Sequence, residues 1–408
     1  MRRLGAVVAL LLGSAAHATA QVGGIAWDEL PPLPPSAGQA RQPGVAGPFA
    51  GTHGEVLLVA GGANFPDRMP WDGGAKVWWD DIWVLEPHAG GGRWISNPAF
   101  KLPRPLGYGV SVSTADGVVC AGGHDADRVY ADVFLLSWDA RTREIRRTAL
   151  PPLPEPLTFM AGALVGTTLY VAGGQHVMKG AVPTRVFWAL DLAQRGRGAG
   201  FAWRVLPGWP GPPRVLAVAA AQRTARGDEF FLFSGRVPEA GKATQVLADA
   251  YAFDPKAGTW RTLPAVGGGA GASVMAGSAA AVGTQEVWLF GGDRGEQFAE
   301  LEAHDLAIEE LRRRQSAMPP AERGSLEREI ESRLAAKRTI YGAHPGFARD
   351  VLAFDTRRET WRIVGRTPYA PQVTTFAVPW GDAIVLPSGE ISPGVRTPGV
   401  FRARPVVR

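Results

Sequence analysis

The chain of 408 residues carries a single cysteine, Cys120. One cysteine cannot close an internal disulfide, and it rules out the two-cysteine logic of a redox motif. Its place in the apolar run Val118-Val119-Cys120-Ala121 predicts a buried strand residue. Histidine is scarce too. Beyond residue 20 there are only His53, His88, His124, His176, His304 and His344, and none forms a close ligand pair. Neither a metal nor any other cofactor is expected. A Gly-x-Ser-x-Gly elbow is missing, which removes the usual serine-nucleophile turn. The net charge of +5 is mild, and the arginines lie scattered among acids with no basic stripe, so nucleic acid is not an expected partner. After residue 20 no apolar stretch is long enough to span a bilayer.

The first twenty residues read as a secretory signal peptide. Arg2 and Arg3 form a charged start, Leu4 to Leu12 a short apolar run, and Ala18-Thr19-Ala20 a small-x-small cleavage site. The expected mature chain is 21–408, in the periplasm.

What is abundant is glycine (52), proline (34) and tryptophan (14). Glycine and proline punctuate tight turns and tryptophan suits packed sheets, so the bias points to many short strands. These residues recur in register. Leu57-Leu58-Val59-Ala60-Gly61-Gly62 is the first of six apolar runs ending in a glycine turn. The others end at Gly122-Gly123, Gly173-Gly174, Ser234-Gly235, Gly291-Gly292 and Ser388-Gly389. A strand near an aspartate follows, and then a strand opening at Trp94, Trp203, Trp260 or Trp361, with Ile145-Arg146-Arg147 in the equivalent place once. A unit of about 50 residues with this signature is a kelch repeat, and six units predict an all-β, six-bladed propeller. The sixth unit stops after its third strand, Gly399 to Arg404, whereas Trp27-Asp28-Glu29-Leu30 looks like an isolated fourth strand. Pairing the two closes the ring and removes an open sheet edge.

One segment departs from the pattern. Over 296–345 the chain is rich in Glu, Arg, Leu and Ala. Leu301, Ile308 and Leu311 recur at helical spacing, Pro319-Pro320 interrupts, and Leu326, Ile330 and Leu334 resume it. This predicts a helical hairpin inserted between the second and third strands of the fifth blade.

A propeller is a scaffold that does not itself name a function. Its polar candidates lie in the loops after the glycine turns (Asn64, Arg68, His124, His176, Arg236, Arg294, Glu390 and Arg396) and where the inner strands start (Arg104, Tyr108 and Arg214). Several arginines around one channel suit an anionic ligand, because a guanidinium fork pairs a carboxylate with two hydrogen bonds. The same arginines also suit blade-to-blade hydrogen bonds. In the sixth blade a carboxylate, Glu390, directly follows the glycine turn, with Arg396 a short loop away.

The stretch Gly389-Glu390-Ile391-Ser392-Pro393-Gly394-Val395-Arg396-Thr397 resembles the catalytic loop of the bacterial N-acetylneuraminate epimerases, the sialic acid mutarotases. Residues 44–51 leading into Val59-Ala60-Gly61-Gly62-Ala63-Asn64-Phe65 are similar to that family too, as is Arg104-Pro105-Leu106-Gly107-Tyr108-Gly109-Val110-Ser111. The blade bearing Glu390 and Arg396 comes last here, where the usual family order places it mid-chain, so the resemblance is to a cyclically permuted branch. It implies an isomerase that interconverts the α and β anomers of N-acetylneuraminate or a related acidic sugar by general acid–base ring opening. It assigns the base role to Glu390 and binding or polarisation to Arg396. Arg104, Arg68, Asn64, Tyr108 and Arg214 are the expected substrate binders. The contrasting expectation is a non-catalytic propeller that binds glycans or proteins. A hydrolytic sialidase is disfavoured, since the nearest approach to its Asp-box, Asp254 to Trp260, has the wrong spacing.

Overall fold

Each of the six units folds as a four-stranded antiparallel sheet, and the sheets stand around one axis. The first comprises Phe49–His53, Val56–Ala60, Ile82–Glu86 and Arg93–Ile95, counted from the axis outward. The computed structural model describes residues 22–407 apart from 37, 90, 179, 181, 270 and 271. The signal-peptide reading of residues 1–20 lies outside these residues.

The sixth sheet joins the two ends of the chain. Its inner strands are Val378–Trp380 and Ala383–Pro387, its third is Val400–Val407, and its outermost is Val22–Leu30. Trp27 lies opposite Ala403, Asp28 opposite Arg402 and Leu30 opposite Val400. The expected strand is therefore present, and it is longer than Trp27–Leu30. Asp28 accepts from Arg402 and Arg404, and the Arg402 hydrogen bond holds its carboxyl below the usual carboxylate range against the opposing effect of burial.

A six-membered ring of sheets buries its apolar faces between neighbours, and each seam has its own core. Phe49, Leu58 and Val84 pack on Val118, Cys120 and Phe134 at the first seam. Cys120 is wholly buried, which pushes its thiol pKa up. Leu57 and Val59 pack with Leu30, Val378, Val385 and Val400 where the sixth blade meets the first. The tryptophans at the outer strands explain their own regularity. Trp94, Trp203, Trp260 and Trp361 donate their indole N–H groups to the carbonyls of Pro31, Pro151, Pro207 and Pro264, each in the segment leaving the preceding blade. An indole brings a large apolar body with one donor, so it fills the seam and fastens it at once.

In the fifth blade the chain leaves strand Glu286–Phe290 and forms helix α1 (Glu296–Ser316). It turns at Pro319-Pro320, forms α2 (Gly324–Gly342) and re-enters the sheet at Asp350–Asp355. The hairpin has a small core of its own, in which Ile308 and Leu311 face Leu326 and Ile330.

Candidate active site

The axis is closed by backbone. Gly47, Tyr108, Phe159, Leu216, Ala276 and Thr374 occupy one equivalent position in each blade, all at positive φ. Each donates its N–H to the carbonyl of the preceding member: Tyr108 to Gly47 at 2.8 Å, Phe159 to Tyr108 at 3.0 Å, Leu216 to Phe159 at 3.0 Å, Ala276 to Leu216 at 2.9 Å, Thr374 to Ala276 at 2.7 Å and Gly47 to Thr374 at 2.7 Å. Five non-glycine residues thus hold a left-handed conformation that costs energy locally and persists because the ring of hydrogen bonds over-determines it. At Gly47 no side chain would fit, since a Cβ there would lie 2.6 Å from the Tyr108 ring.

The inner strands enclose a cavity of 360 Å³, lined by residues such as Val110, Ala161, Ala163, Val218, Ala220 and Ala280. Its lining holds no Asp, Glu, His, Lys or Arg. Acid–base chemistry therefore has no support there, although the cavity is roomy.

Beside the ring stands a second layer. The residue following each glycine turn forms an isolated β-bridge with the segment entering its own blade: Ala63 with Ala46, His124 with Gly107, Gln175 with Thr158, Arg236 with Val215, Asp293 with Met275, and Glu390 with Val373. Five of these six carry polar side chains, and Glu390 is one of them. Its backbone is fixed by reciprocal hydrogen bonds with Val373, at 3.0 and 2.9 Å. The short strands Glu390–Ser392 and Val395–Arg396 pair so that Glu390 faces Arg396. Glu390 Oε1 accepts from the Gly394 N–H at 2.7 Å and from Arg396 Nη1 at 3.3 Å. Both contacts fall on one oxygen and leave Oε2 for another partner. The Arg396 side chain is 4% exposed, and its guanidinium lies over the Phe65 ring at 4.9 Å.

The fourth, fifth and sixth blades set a charged cluster around this pair. The Glu390 charge is felt by Arg236, Asp293, Tyr341 and His344. Asp293 accepts from the Gly295 N–H, yet burial raises its pKa. Burial lowers the pKa of His344, and Asp293 and Glu390 oppose that shift. His344 Nδ1 accepts from the Gly346 N–H at 3.0 Å, so the neutral ring carries its proton on Nε2. Tyr341 and His344 arrive from the far end of the helical insertion. There Tyr341 stacks on Trp71, while Pro70 and Trp71 press on Gly394.

The first and second blades carry a mainly aromatic group. His124 stacks on Tyr108 at 4.9 Å, and the Lys76 ammonium sits 4.2 Å from the Tyr108 ring and 4.8 Å from Trp78. Burial, reinforced by Lys76, pushes the His124 pKa down to about 3. Its Nδ1 lies 2.7 Å from Thr158 Oγ1, whose hydroxyl donates to the Tyr108 carbonyl. Satisfying both bonds puts the proton on Nδ1 and leaves Nε2, which is buried without a partner, as an acceptor.

The structure thus brings Glu390 and Arg396 together, whereas Tyr108 stacks on His124 and lines the apolar cavity. The other expected binders are disposed differently. Asn64 is 1% exposed and spends its amide on the Gly44 carbonyl and the Trp79 indole. Arg214 is wholly buried, forks onto Asp249 and donates to the Ser234 carbonyl. It thereby props the turn that presents Arg236. Arg104 pairs with Asp132 at 2.6 Å and lies over Tyr130. Arg68 is exposed on the loop that carries Trp71. His176 bonds the Pro156 carbonyl, and Arg294 pairs with Asp350. Asp293, His344 and Lys76 were missed by sequence reasoning. For Asp293 a signal existed, because it follows its glycine turn as Glu390 follows its own.

Among the described residues no group of three or more His, Cys, Asp or Glu could hold a metal ion. Nor, among the described residues, is any helix long and apolar enough to cross a membrane.

The family described as N-acetylneuraminate epimerase matches residues 11–145 and 150–404. An N-acetylneuraminate epimerase of Brucella melitensis biotype 1 is 38% identical over 133 residues, 30% of this chain and 33% of that protein. One of Salmonella enteritidis PT4 is 40% identical over 111 residues, 25% of this chain and 27% of the relative. The alignable stretch thus spans about a third or less of these relatives. A solved structure titled "Structure of YjhT" superposes with a TM-score of 0.57 at 13% identity, covering 90% of this chain and 95% of that one, and so shares the six-bladed fold. With its family match running over nearly the whole length, the chain belongs to the N-acetylneuraminate epimerase family.

Proposed function

We propose that the protein is a mutarotase that interconverts the α and β anomers of N-acetylneuraminate or a closely related acidic sugar. The observation that carries this reading is Glu390, held through one oxygen by Arg396 and the Gly394 amide, with no hydrogen bond to the other oxygen among the described residues. That is the arrangement a general base needs, a fixed carboxylate with a lone pair to spend.

In the proposed reaction Glu390 takes the proton of the anomeric hydroxyl while the bond from the anomeric carbon to the ring oxygen breaks. A donor at the mouth protonates that oxygen, giving the open-chain keto form. Rotation about the exposed carbon–carbon bond and closure on the opposite face, with both proton transfers reversed, yield the other anomer. The His344 Nε2–H is the neutral donor nearest in character to this need, and Arg396 keeps Glu390 oriented. Atoms and protons balance over the cycle.

The test is a proton NMR time course starting from the pure α anomer, with and without enzyme. Accelerated approach to equilibrium supports the reading. Saturable binding with no acceleration would favour a propeller that only binds glycans. We also propose a periplasmic location, on the strength of the charged start, the apolar run and Ala18-Thr19-Ala20. N-terminal sequencing of protein recovered from an osmotic-shock fraction, expected to begin near Gln21, tests it.

A further inference from the structure

We propose that Arg236, in the fourth blade, is the receptor for the carboxylate of the sugar. The proposal rests on the mutarotase reading for the identity of the anion and on the structure for the existence of the site.

Arg236 occupies the same place in its blade as Glu390 in the sixth, directly after a Ser-Gly turn and bridged to the segment entering its blade. The two turns are built alike. Ser234 and Ser388 both take positive φ, at 56° and 57°, and both are wholly buried. Their hydroxyls tie the turn to neighbouring backbone, Ser234 to the Leu247 carbonyl and the Val274 N–H, Ser388 to the Val45 N–H and the Thr397 carbonyl. Two blades of six therefore share a rigid mount, and each presents a charge, of opposite sign, at the same level of one channel.

The partners of Arg236 decide what that charge is for. Its guanidinium lies over the Phe298 ring of α1 at 4.6 Å, and its Nε is buried without an acceptor. Among the described residues it makes no side-chain hydrogen bond and no ion pair. The acids close enough to influence it are Asp293, Glu302 and Glu390. Each is engaged elsewhere: Asp293 by the Gly295 N–H, Glu302 by the Thr244 N–H and hydroxyl, Glu390 by Gly394 and Arg396. Arg236 as a whole is half-buried, so the unpartnered Nε is a donor held at the edge of water, where an arriving anion can pair with it. Its planar fork matches a carboxylate by two parallel N–H···O bonds, and an aromatic ring against one face fixes the plane.

Arg396 is the contrasting case. Its Nε is also buried without an acceptor, but its Nη1 donates to Glu390 at 3.3 Å, and that pairing orients the base. An acidic sugar that directs its carboxylate to Arg236 would present the attached anomeric carbon to the channel, where Glu390 waits two blades further round. That division lets one arginine select the substrate and the other serve the chemistry.

The experiment compares the parent with Arg236→Gln and Arg236→Lys, each checked for an unchanged thermal transition. Binding is read with the methyl α-glycoside of N-acetylneuraminate, which cannot open its ring. Anomer exchange is read with the free acid and with its neutral carboxylate methyl ester. Arg236→Gln should weaken glycoside binding by roughly 10- to 100-fold, the worth of a lost charge-assisted pair. It should cut kcat/KM for the acid by a similar factor, mainly through KM, and leave the ester within about threefold. Arg236→Lys should fall between, since it keeps the charge and loses the fork. Equal losses on acid and ester would show a merely structural role and overturn the proposal, as would unchanged glycoside binding in Arg236→Gln or a parent that does not bind the glycoside. If the parent binds the glycoside through Arg236 but accelerates no exchange, the carboxylate receptor stands and the mutarotase reading falls.

Discussion

Trp71 stacks face to face on Tyr341, with ring centroids 4.7 Å apart and planes 18° from parallel. The contact joins the loop of the first blade to the end of α2, 270 residues further along the chain. The other root of the hairpin is fastened to the fourth blade, where Glu302 accepts from Thr244 and Phe298 covers Arg236. The insertion therefore bridges the mouth from both sides of the Glu390 hairpin.

Replacing Trp71 by Ala should loosen this bridge without unfolding the ring. An aromatic pair contributes about 0.5–1.5 kcal/mol beyond its buried area. If that contact holds the closed arrangement, kcat/KM for anomer exchange should fall by roughly 3- to 10-fold. Steady-state exchange rates together with the melting temperature of Trp71→Ala check this. A loss of exchange that scales with a collapse in melting temperature would assign Trp71 to the scaffold.

Excising residues 298–340 and bridging the gap with a short Gly-Ser linker should leave the six sheets intact. The hairpin buries its apolar residues mainly against itself and hangs from a loop. Far-ultraviolet circular dichroism should lose helix and keep strand, and exchange should drop because Tyr341, His344 and the Phe298 wall are lost or displaced. Global unfolding of the excised chain would contradict the description of the segment as an insertion.

The N-terminal strand offers a test of ring closure. Removing residues 22–34 exposes the edge of Val400–Val407 and strips Leu30 and Leu33 from the seam between the sixth and first blades. Each leucine, 1–2% exposed, is worth about 1.5–3 kcal/mol of burial. For a chain of this length one kcal/mol shifts the midpoint by only about 1 °C, so these two side chains alone should lower melting by roughly 4–7 °C, and the truncated chain should aggregate through its open edge. An unaltered melting temperature would mean that the ring closes without this strand.

Much of the fold was legible because the repeat is written in residues with narrow roles. Glycine pairs mark the turns beside the axis, and tryptophans mark the outer strands because their indoles reach back to a proline carbonyl of the previous blade. The pairing of Glu390 with Arg396 was legible for a local reason, as both lie on one short hairpin. The fates of the other arginines were not. Arg104 pairs with Asp132, and Arg214 with Asp249, 28 and 35 residues away, and nothing in the local sequence distinguishes an arginine with such a partner from one without. Arg236 stood in plain register after Ser234-Gly235, but that its side chain makes no hydrogen bond or ion pair among the described residues is a property of three-dimensional packing. His344 comes to the mouth only because an insertion of two helices returns there.

His124 should make folding stability fall in mild acid. Its folded-state pKa of about 3 lies below the ordinary value of 6.5, so the unfolded chain binds the proton more readily. The stability conferred by the neutral buried ring is complete above about pH 6.5 and is lost progressively as pH falls toward 3. The slope approaches 1.4 kcal/mol per pH unit at most. Denaturant titrations of the parent and of His124→Gln between pH 7 and 4 measure it. The variant should be less stable at pH 7, having lost the Tyr108 stack, and should show a shallower decline. Parallel curves would mean that His124 takes up its proton without strain in the folded state.

Glu390→Gln is the sharpest test of the proposed chemistry. The amide keeps the size of the side chain and can still accept from the Gly394 N–H through its oxygen, while losing the proton affinity that a base requires. Exchange of anomers should drop by roughly 10²–10⁴-fold, the usual worth of general acid–base catalysis. Because the substitution also leaves Arg396, 4% exposed, without its counter-ion, the melting temperature must be followed in parallel. Glycoside binding should survive, since the carboxylate of the sugar is taken up two blades away. Arg396→Ala should behave differently. It removes both the partner that orients Oε1 and the cation over Phe65, so kcat should fall with KM little changed. A Glu390→Gln enzyme that exchanges anomers as fast as the parent would remove Glu390 from the mechanism and leave a propeller that binds acidic sugars without turning them over.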